Sequence, residues 1–336
     1  MKFNYPINII CFNRPKYLLQ LLKSLRGQSI ECPDELVFFW VDGYSQSKDE
    51  ALERSDLTKE TVSLIQEYFP KSQLMFSSEN LGIARNYWRA EQYSFETLGA
   101  SSAFFLEEDL VLSPYYFELT MKMDSLFSSD TSISHFSPTG DVAHTFSAPD
   151  EYFQAFGHNW GYLLRGWHHF ERRNFLEEYI DIISRNPYHL RHRSQTEILD
   201  HFYNKGIILA GTSQDAIKDG LRNFFGRVSV TTLDPWASNI GVLGEHFQSE
   251  SSHHNRPISE DLASFPSSFN PAQNIRLSLD GKSKTISQVY QNYLSHFQSC
   301  SSERDALVGE RDALINSPLR TLSLKFLGMF RRKWAA

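Results

Sequence analysis

An α/β fold on a mainly parallel sheet is the expectation for this chain, and three observations carry it. Short apolar runs of strand character recur about every 30 residues, helical stretches separate them, and each run stops at polar or turn-forming residues. Alternation of this kind is the pattern of βαβ units, whose parallel strands need a crossover helix.

The elements follow in order. Tyr5–Phe12 reads as a buried strand. Asn13 then offers a helix cap, Pro15 suits the first turn, and Tyr17, Leu18, Leu19, Leu21, Leu22 and Leu25 form an apolar face. Glu35–Val41 is a second buried strand, ending at the turn signal Asp42-Gly43. A helix around Leu57–Tyr68, a strand at Gln73–Phe76 and a helix over Gly82–Phe95 come next. The strand Ala103–Leu106 runs directly into Glu107, Glu108 and Asp109, and Ser113-Pro114 opens another helix as cap and first-turn residue. Beyond Ile133 the pattern is less regular and rich in aromatics, as in AFGHNWGYLLRGWHHF. Ligands of such sheets bind beyond the carboxyl ends of the strands. Asn13-Arg14, Asp42-Gly43 and Glu107–Asp109 all fall there.

A chain of 336 residues can bury a sizeable core. With 41% hydrophobic residues it is not globally disordered, and a net charge of −7 gives no basic footprint for nucleic acid. Cys11, Cys32 and Cys300 are odd in number, far apart and without a CxxC, which argues against a disulfide framework or zinc knuckle. The N-terminal apolar run is too short for a signal peptide or spanning helix, so a cytoplasmic, soluble body is expected.

The three acids pose the physical question. Alternate residues of a strand point to one side, which would put Glu107 and Asp109 about 6.6 Å apart. At an effective dielectric of about 20 their repulsion is about 2.5 kcal/mol. A divalent cation converts that cost into attraction, and Mg²⁺ or Mn²⁺ takes carboxylate and phosphate oxygens together. A strand that simply reaches solvent would also end in acids. The long apolar lead-in and the other polar strand ends on the same edge favour the cation.

Several stretches together resemble the N-acetylglucosaminyltransferase I family and its bacterial relatives, which are GT-A glycosyltransferases. FFLEEDLVLSPYYFE resembles that family's acidic strand end, NIICFNRPKYLLQLLKSL its first strand and helix, and FWVDG a strand ending in a base-contacting Asp. GIARNYWRA resembles its I-A-R-H-Y segment with Asn86 in place of the His, and FGHNWGYLLRGWHHF its acceptor-side segment. GTSQDAIKDGL stands where the family carries W-D-D-W-M, one Asp of the pair remaining as Asp215, and LDPWASNIGVLGEHF resembles the loop that closes over the diphosphate. The resemblance spans roughly residues 5–250.

It implies a GT-A fold of 1–250, with a nucleotide-sugar half of about 1–112 and an acceptor half of about 113–250. It also implies a metal-dependent hexosyl- or N-acetylhexosaminyl-transferase using a nucleotide sugar, UDP-GlcNAc first, and a glycan or lipid-linked acceptor of a bacterial surface. Asp109 would hold Mn²⁺ or Mg²⁺, and Asp215 would be the base of an inverting displacement. Arg14, Asp42, Arg85, Glu107, Glu108 and His246 would contact the donor, and Trp160 and Gly161 the acceptor. Each has a plainer alternative: Asp42 caps its own turn, Arg14 is a solvated arginine, Asp215 caps the helix Ala216–Leu221, His246 is a surface histidine, and Trp160, Tyr162 and Trp167 pack in the core. A retaining transferase and a non-catalytic glycan- or partner-binding protein are the rival functions.

Residues 251–300 form a Ser/Pro-rich excursion and helix, and 301–336 a helical stalk with a basic tail. ERDALVG is followed directly by ERDALIN, one heptad repeated over residues 303–316. In SPLRTLSLKFLGMFRRKWAA five basic residues and no acid accompany an apolar stripe of Leu319, Leu322, Phe326, Phe330 and Trp334. Such a helix lies on a membrane surface, here the inner face, with each basic residue contributing about 1 kcal/mol on an anionic leaflet. Packing of the stripe on the body or on a second subunit is the alternative.

Overall fold

The computed structural model describes residues 3–43, 48–140, 153–155, 160–232, 234–242 and 255–259. All belong to the first of two compact units, Met1–Asn274 and Ile275–Ala336. His246, the heptad repeat, the basic tail and most of the Ser/Pro-rich stretch lie outside the described residues.

In chain order the elements are β1 (Ile7–Cys11), α1 (Pro15–Arg26), β2 (Val37–Val41), α2 (Lys48–Tyr68), β3 (Gln73–Leu74), α3 (Gly82–Gln92), β4 (Ser102–Glu107), β5 (Leu110–Leu112), α4 (Tyr116–Leu126), β6 (Ile133–Phe136), β7 (Phe153–Ala155), β8 (Gly161–Arg165), α5 (Gly166–Ser184), α6 (Gln195–Tyr203), α7 (Gln214–Phe224), β9 (Val228–Thr232) and β10 (Ala237–Asn239). Eight strands form one sheet in the order β3-β2-β1-β4-β8-β6-β9-β7, and β10 pairs with β5 in a small second sheet. β1 to β4, β6 and β9 share one direction, while β8 and β7 run against it. The expected α/β class with a mainly parallel sheet is the observed one.

β1 and β2 are buried along their whole length because helices cover both faces, and the one polar residue, Asn8, is satisfied by Ser94, Trp40 and the Phe104 carbonyl. On one face Ile10, Phe38, Trp40, Phe105, Tyr162 and Leu164 pack with Tyr87 and Ala90 of α3. On the other, Phe104 meets Phe117 of α4 edge-on at 4.7 Å, and Phe39 meets Phe69. Leu18, Leu21, Leu22 and Leu25 of α1 are buried, as their spacing predicts. No described helix is long and apolar enough to cross a membrane.

Two expected caps are corrected. α1 has Arg14 at its cap with no side-chain bond, and Pro15 removes one of the N–H groups that a cap from Asn13 would have served. α4 begins at Tyr116, two residues beyond Pro114. The Ser113 N–H still donates to the Trp236 carbonyl at 2.9 Å, so Ser113 remains tied to the chain entering β10 while its Oγ accepts from Tyr115 N–H.

Candidate active site

β1, β2 and β4 end side by side at Cys11, Val41 and Glu107. β8 runs the opposite way and begins at Gly161 opposite Leu106, which brings Trp160-Gly161 to the same edge. Arg14, Asp42, the three acids and the start of β8 therefore share one rim of the sheet, as the position rule for such sheets requires.

The acids are not alternate residues of one strand, which corrects the expected geometry. β4 stops at Glu107, and Glu108-Asp109 make a turn into β5. Each carboxylate is thereby sent a different way. Glu108 folds back to accept the Phe12 N–H at 2.8 Å and Arg14 Nε at 2.6 Å. Arg14 Nη1 donates to Asp109 Oδ2 at 2.8 Å, so one guanidinium spans two acids and is no free solvated arginine. Burial works against the Arg14 charge, but Glu108 and Asp109 outweigh it and raise its pKa. Burial pushes the Glu108 carboxyl up, against the pull of Arg14 and the Phe12 N–H. Glu107 accepts from the Tyr87 hydroxyl at 3.2 Å. Burial, then repulsion from Asp109 and from Asp215, drive its carboxyl well above the usual range.

Asp109 is gripped from behind. Its carbonyl accepts the Ile240 N–H at 2.8 Å, and a Cβ on Gly241 would come within 2.1 Å of Oδ2, so any larger residue there would have to displace that carboxylate. Its other oxygen, Oδ1, is buried with no hydrogen-bond partner. No group of three or more His, Cys, Asp or Glu gathers as a metal cage among the described residues. A cation that keeps water and donor phosphate as its main ligands needs only one or two carboxylates. The unsatisfied Oδ1 fits a Mg²⁺ or Mn²⁺ ion held in that way.

Asp215 sits in the first turn of α7, and Ser213 caps that helix by accepting the Ala216 N–H at 3.2 Å. The capping alternative for Asp215 is thereby removed. Gln214 Nε2 donates to its Oδ1 at 3.0 Å. Burial pushes its carboxyl up to about 6, against the pull of Lys218 and with a small push from Asp219. Its charge is felt by Glu107, Tyr87 and Tyr162, so α7 delivers it to the acidic rim from a distant part of the chain. A carboxylate titrating near 6 is suited to general base work near neutrality.

Asp42 spends its carboxylate on backbone: Oδ1 accepts from Leu81 at 2.7 Å and Gly43 at 2.9 Å, and Oδ2 accepts from Gly82 at 2.8 Å. It thus ties the end of β2 to the start of α3, more than its own turn. Burial pushes its carboxyl up, and the three N–H groups oppose that. Arg85 is half-buried without an ion-pair partner among the described residues. Asn86, one residue on, is buried and its amide helps to hold the Asp42 carboxyl down. A side chain on Gly161 would crowd Leu110 at 3.0 Å and the Tyr116 hydroxyl at 3.2 Å, so β8 approaches β5 closely there. Trp160 is half-buried at the rim. Tyr162 is core, between Phe105 at 5.5 Å and Tyr87 at 6.4 Å, and Trp167 lies under the Arg227 guanidinium at 5.2 Å.

Sequence reasoning missed Tyr87, Gln214, Lys218 and Glu91, and took Gly241 only as the start of a segment, Gly241–His246, closing over the donor. Tyr87 lay inside a quoted helix segment, and Lys218 stands three residues after Asp215, on the same helix face. Nothing in local sequence marks Glu91, which becomes charged core only when α5 and α7 pack on α3.

No protein-family model matches the chain, and no curated protein does. Solved structures similar to it include S. aureus TarS, at 13% identity over 51% of this chain and 30% of that one, with a TM-score of 0.34. S. aureus TarS 1–349 in complex with UDP-GlcNAc aligns at 15% identity over 52% of this chain and 48% of that one, with a TM-score of 0.32. The mannosyltransferase PcManGT from Pyrobaculum calidifontis, in complex with GDP-Man and Mn²⁺, aligns at 11% identity over 52% and 47%, with a TM-score of 0.34. The chain spans less than half the length of each.

Proposed function

We propose that this chain is a metal-assisted glycosyltransferase of GT-A type, taking a sugar from a nucleotide sugar (UDP-GlcNAc as first candidate) by inverting displacement. One observation carries this above the others. A buried carboxylate that caps nothing, Asp215, faces an acidic rim on which Asp109 keeps an unsatisfied oxygen. The stretches resembling the N-acetylglucosaminyltransferase I family support the same assignment.

Asp215 takes the proton of the acceptor hydroxyl as that oxygen bonds to the anomeric carbon and the sugar–phosphate bond breaks, its electron pair leaving with the diphosphate. Asp109 Oδ1 would hold a Mn²⁺ or Mg²⁺ ion, whose chemistry is to neutralise charge growing on that leaving group. Arg14 would add a fixed positive charge beside it, Glu107 would meet ribose hydroxyls or the ion's waters, and Glu108, with both oxygens taken by the Phe12 N–H and Arg14, would reach the donor through that arginine. Arg85 and Asp42 border the nucleotide end, His246 would contact phosphate from the closing loop, and Trp160 and Gly161 line the acceptor end.

The test is a thermal-shift panel of nucleotide sugars with and without Mn²⁺. A donor at about 100 times its Kd stabilises by about 2.7 kcal/mol. Asp109→Ala is expected to keep its fold and lose the metal-dependent part of that shift. An unchanged Mn²⁺ dependence in this variant removes the metal assignment.

Arg14 favours a second function, because a guanidinium already neutralising Glu108 and Asp109 suits a site that has stopped using a cation. The chain would then bind a glycan or partner without turnover. Donor cleavage with metal and no acceptor separates the two. We also propose that the tail holds the chain at the inner face of a membrane near a lipid-linked acceptor. Co-sedimentation with anionic liposomes, lost on truncation at Asn316, is the expected result; equal binding by both proteins sinks the anchor.

A further inference from the structure

We infer that Lys218 is a positioning residue for the reaction proposed above, supplying the counter-charge that holds Asp215 as a carboxylate ready to accept a proton. The inference rests on Asp215 being the base.

Lys218 lies on α7 three residues after Asp215, on neighbouring positions of one helix face. It is 6% exposed, yet it is an ammonium group with several partners. Its Nζ stands 2.9 Å from Glu91 Oε1 and 3.2 Å from the Tyr162 hydroxyl, and 4.1 Å from the centre of the Tyr87 ring. Tyr87 in turn donates to Glu107, so the lysine is linked through one ring to the acidic rim.

A charge census of this interior gives the inference its force. Glu91, fully buried on α3, is already neutralised by Arg172 of α5 at 2.9 Å, with His169 Nδ1 at 3.3 Å. A second cation on Glu91 leaves a surplus positive charge in the interior, which is costly unless another anion answers it. Asp215, one turn back on the same helix, is that anion, reached by the lysine charge through space rather than by a direct ion pair. The other groups facing the pair do not supply it. Tyr87 on α3, Tyr162 on β8 and Tyr179 on α5 have pKa values raised by burial and are neutral, and His135 on β6 is kept neutral by burial and by nearby cations. Asp219 is paired with Arg222 at 2.9 Å on α7 itself, and Glu171 is taken by Arg227 and His168. Glu107, at the end of β4, has its own carboxyl pushed up by burial, Asp109 and Asp215, and so supplies no counter-charge to the lysine.

The arrangement separates two tasks. Glu91 and Tyr162 hold the ammonium in place, so its charge acts on Asp215 from a fixed position and costs no reorganisation during proton transfer. Gln214 orients the carboxylate by its 3.0 Å bond.

The test needs neither donor nor acceptor. The full chain is labelled with ¹³C at aspartate carboxyls, Asp215→Asn identifies the Asp215 signal, and its midpoint is followed against pH. Lys218→Met is expected to raise the midpoint by about one pH unit or more, as loss of a buried opposite charge does. Lys218→Arg is expected to bring it most of the way back. Glu91→Gln removes the anion that competes for the ammonium and is expected to lower the midpoint. A lysine that only filled space would produce no such pair of opposite shifts. An unmoved midpoint in Lys218→Met, or an upward shift in Glu91→Gln, overturns the inference, and the latter decides alone if Lys218→Met does not fold. Failure of the base assignment has a different sign: wild-type turnover in Asp215→Asn with the titration shifts intact.

Discussion

Two regions of this molecule bury charge, and they do so in opposite ways. Behind α3, Glu91 is met by Arg172, Lys218 and His169, and His169 continues to Glu96 at 3.0 Å. At the rim, among the described residues, Glu108 and Asp109 share one guanidinium, Arg14, Glu107 has no cation of its own, Asp215 draws only on Lys218, and Asp109 Oδ1 has no hydrogen-bond partner. The first set holds more cations than its own anion needs; the second has fewer than its acids call for. Buried charge that is satisfied within the chain specifies packing, whereas a negative surplus costs stability unless a cation or cationic ligand group answers it. Acid count alone does not distinguish the two. The position of the compensating cations does.

The comparison can be broken first at the rim. Asp215→Asn keeps shape and hydrogen bonding but cannot take a proton at neutral pH. It is expected to bind donor almost as the wild type does while sugar transfer falls by about 10²- to 10⁴-fold. Steady-state rates alongside donor affinity check this, and near-normal transfer would move the base elsewhere or favour a retaining mechanism. Glu91→Leu attacks the first set and leaves Arg172 and Lys218 buried without their anion. A loss of about 3–5 kcal/mol in urea unfolding is expected. Glu107→Gln, by contrast, removes a member of a repelling group and should cost less than about 1 kcal/mol. Equal losses in the two would erase the distinction.

Two further effects lie in the pH dependence of stability, and they oppose one another. His168, beside Arg172, is held neutral down to about 3, chiefly by burial, against an ordinary 6.5. The unfolded chain binds the proton first, so this contribution is complete above about 6.5 and is lost as pH falls toward about 3. Asp215 titrates at about 6 against 3.8, so there the folded state binds the proton first. Its contribution grows as pH falls from about 6 to 3.8 and is lost as pH rises through about 6. Each slope is at most about 1.4 kcal/mol per pH unit. Urea unfolding between pH 7 and pH 4 should therefore show a steeper acid loss in Asp215→Asn and a flatter one in His168→Gln. Parallel profiles in both variants would remove the contrast.

Much of the first half of the fold was legible locally. The run NIIC, the helix face of Leu18, Leu21, Leu22 and Leu25, and FFLE ending β4 are each shaped by short-range hydrophobic pattern, which strands and helices need in order to bury a face. The acids were legible as a site because a long apolar lead-in ran into them and other polar strand ends fell on the same edge. Their geometry was not, since a strand and a turn are equally compatible with E-E-D. The caps went astray for a similar reason: Ser113 and Asn13 have the right chemistry, but the β10 pairing and the draw of Arg14 toward the acids decided where the helices start.

By itself, then, the sequence determined the alternation of strands and helices, the sheet edge at which polar strand ends gather, and the residues at those ends. These are properties of short windows, where periodicity and turn chemistry act within a few residues. Tertiary structure alone decided that β8 enters the sheet reversed and delivers Trp160-Gly161 to that edge. It also decided that Ser213 takes the cap and leaves Asp215 to face Glu107, and that Arg14 closes on both Glu108 and Asp109. The physical reason is that ionisation and pairing depend on which charges lie within a few ångströms in a dry interior, and only the packed chain sets those distances.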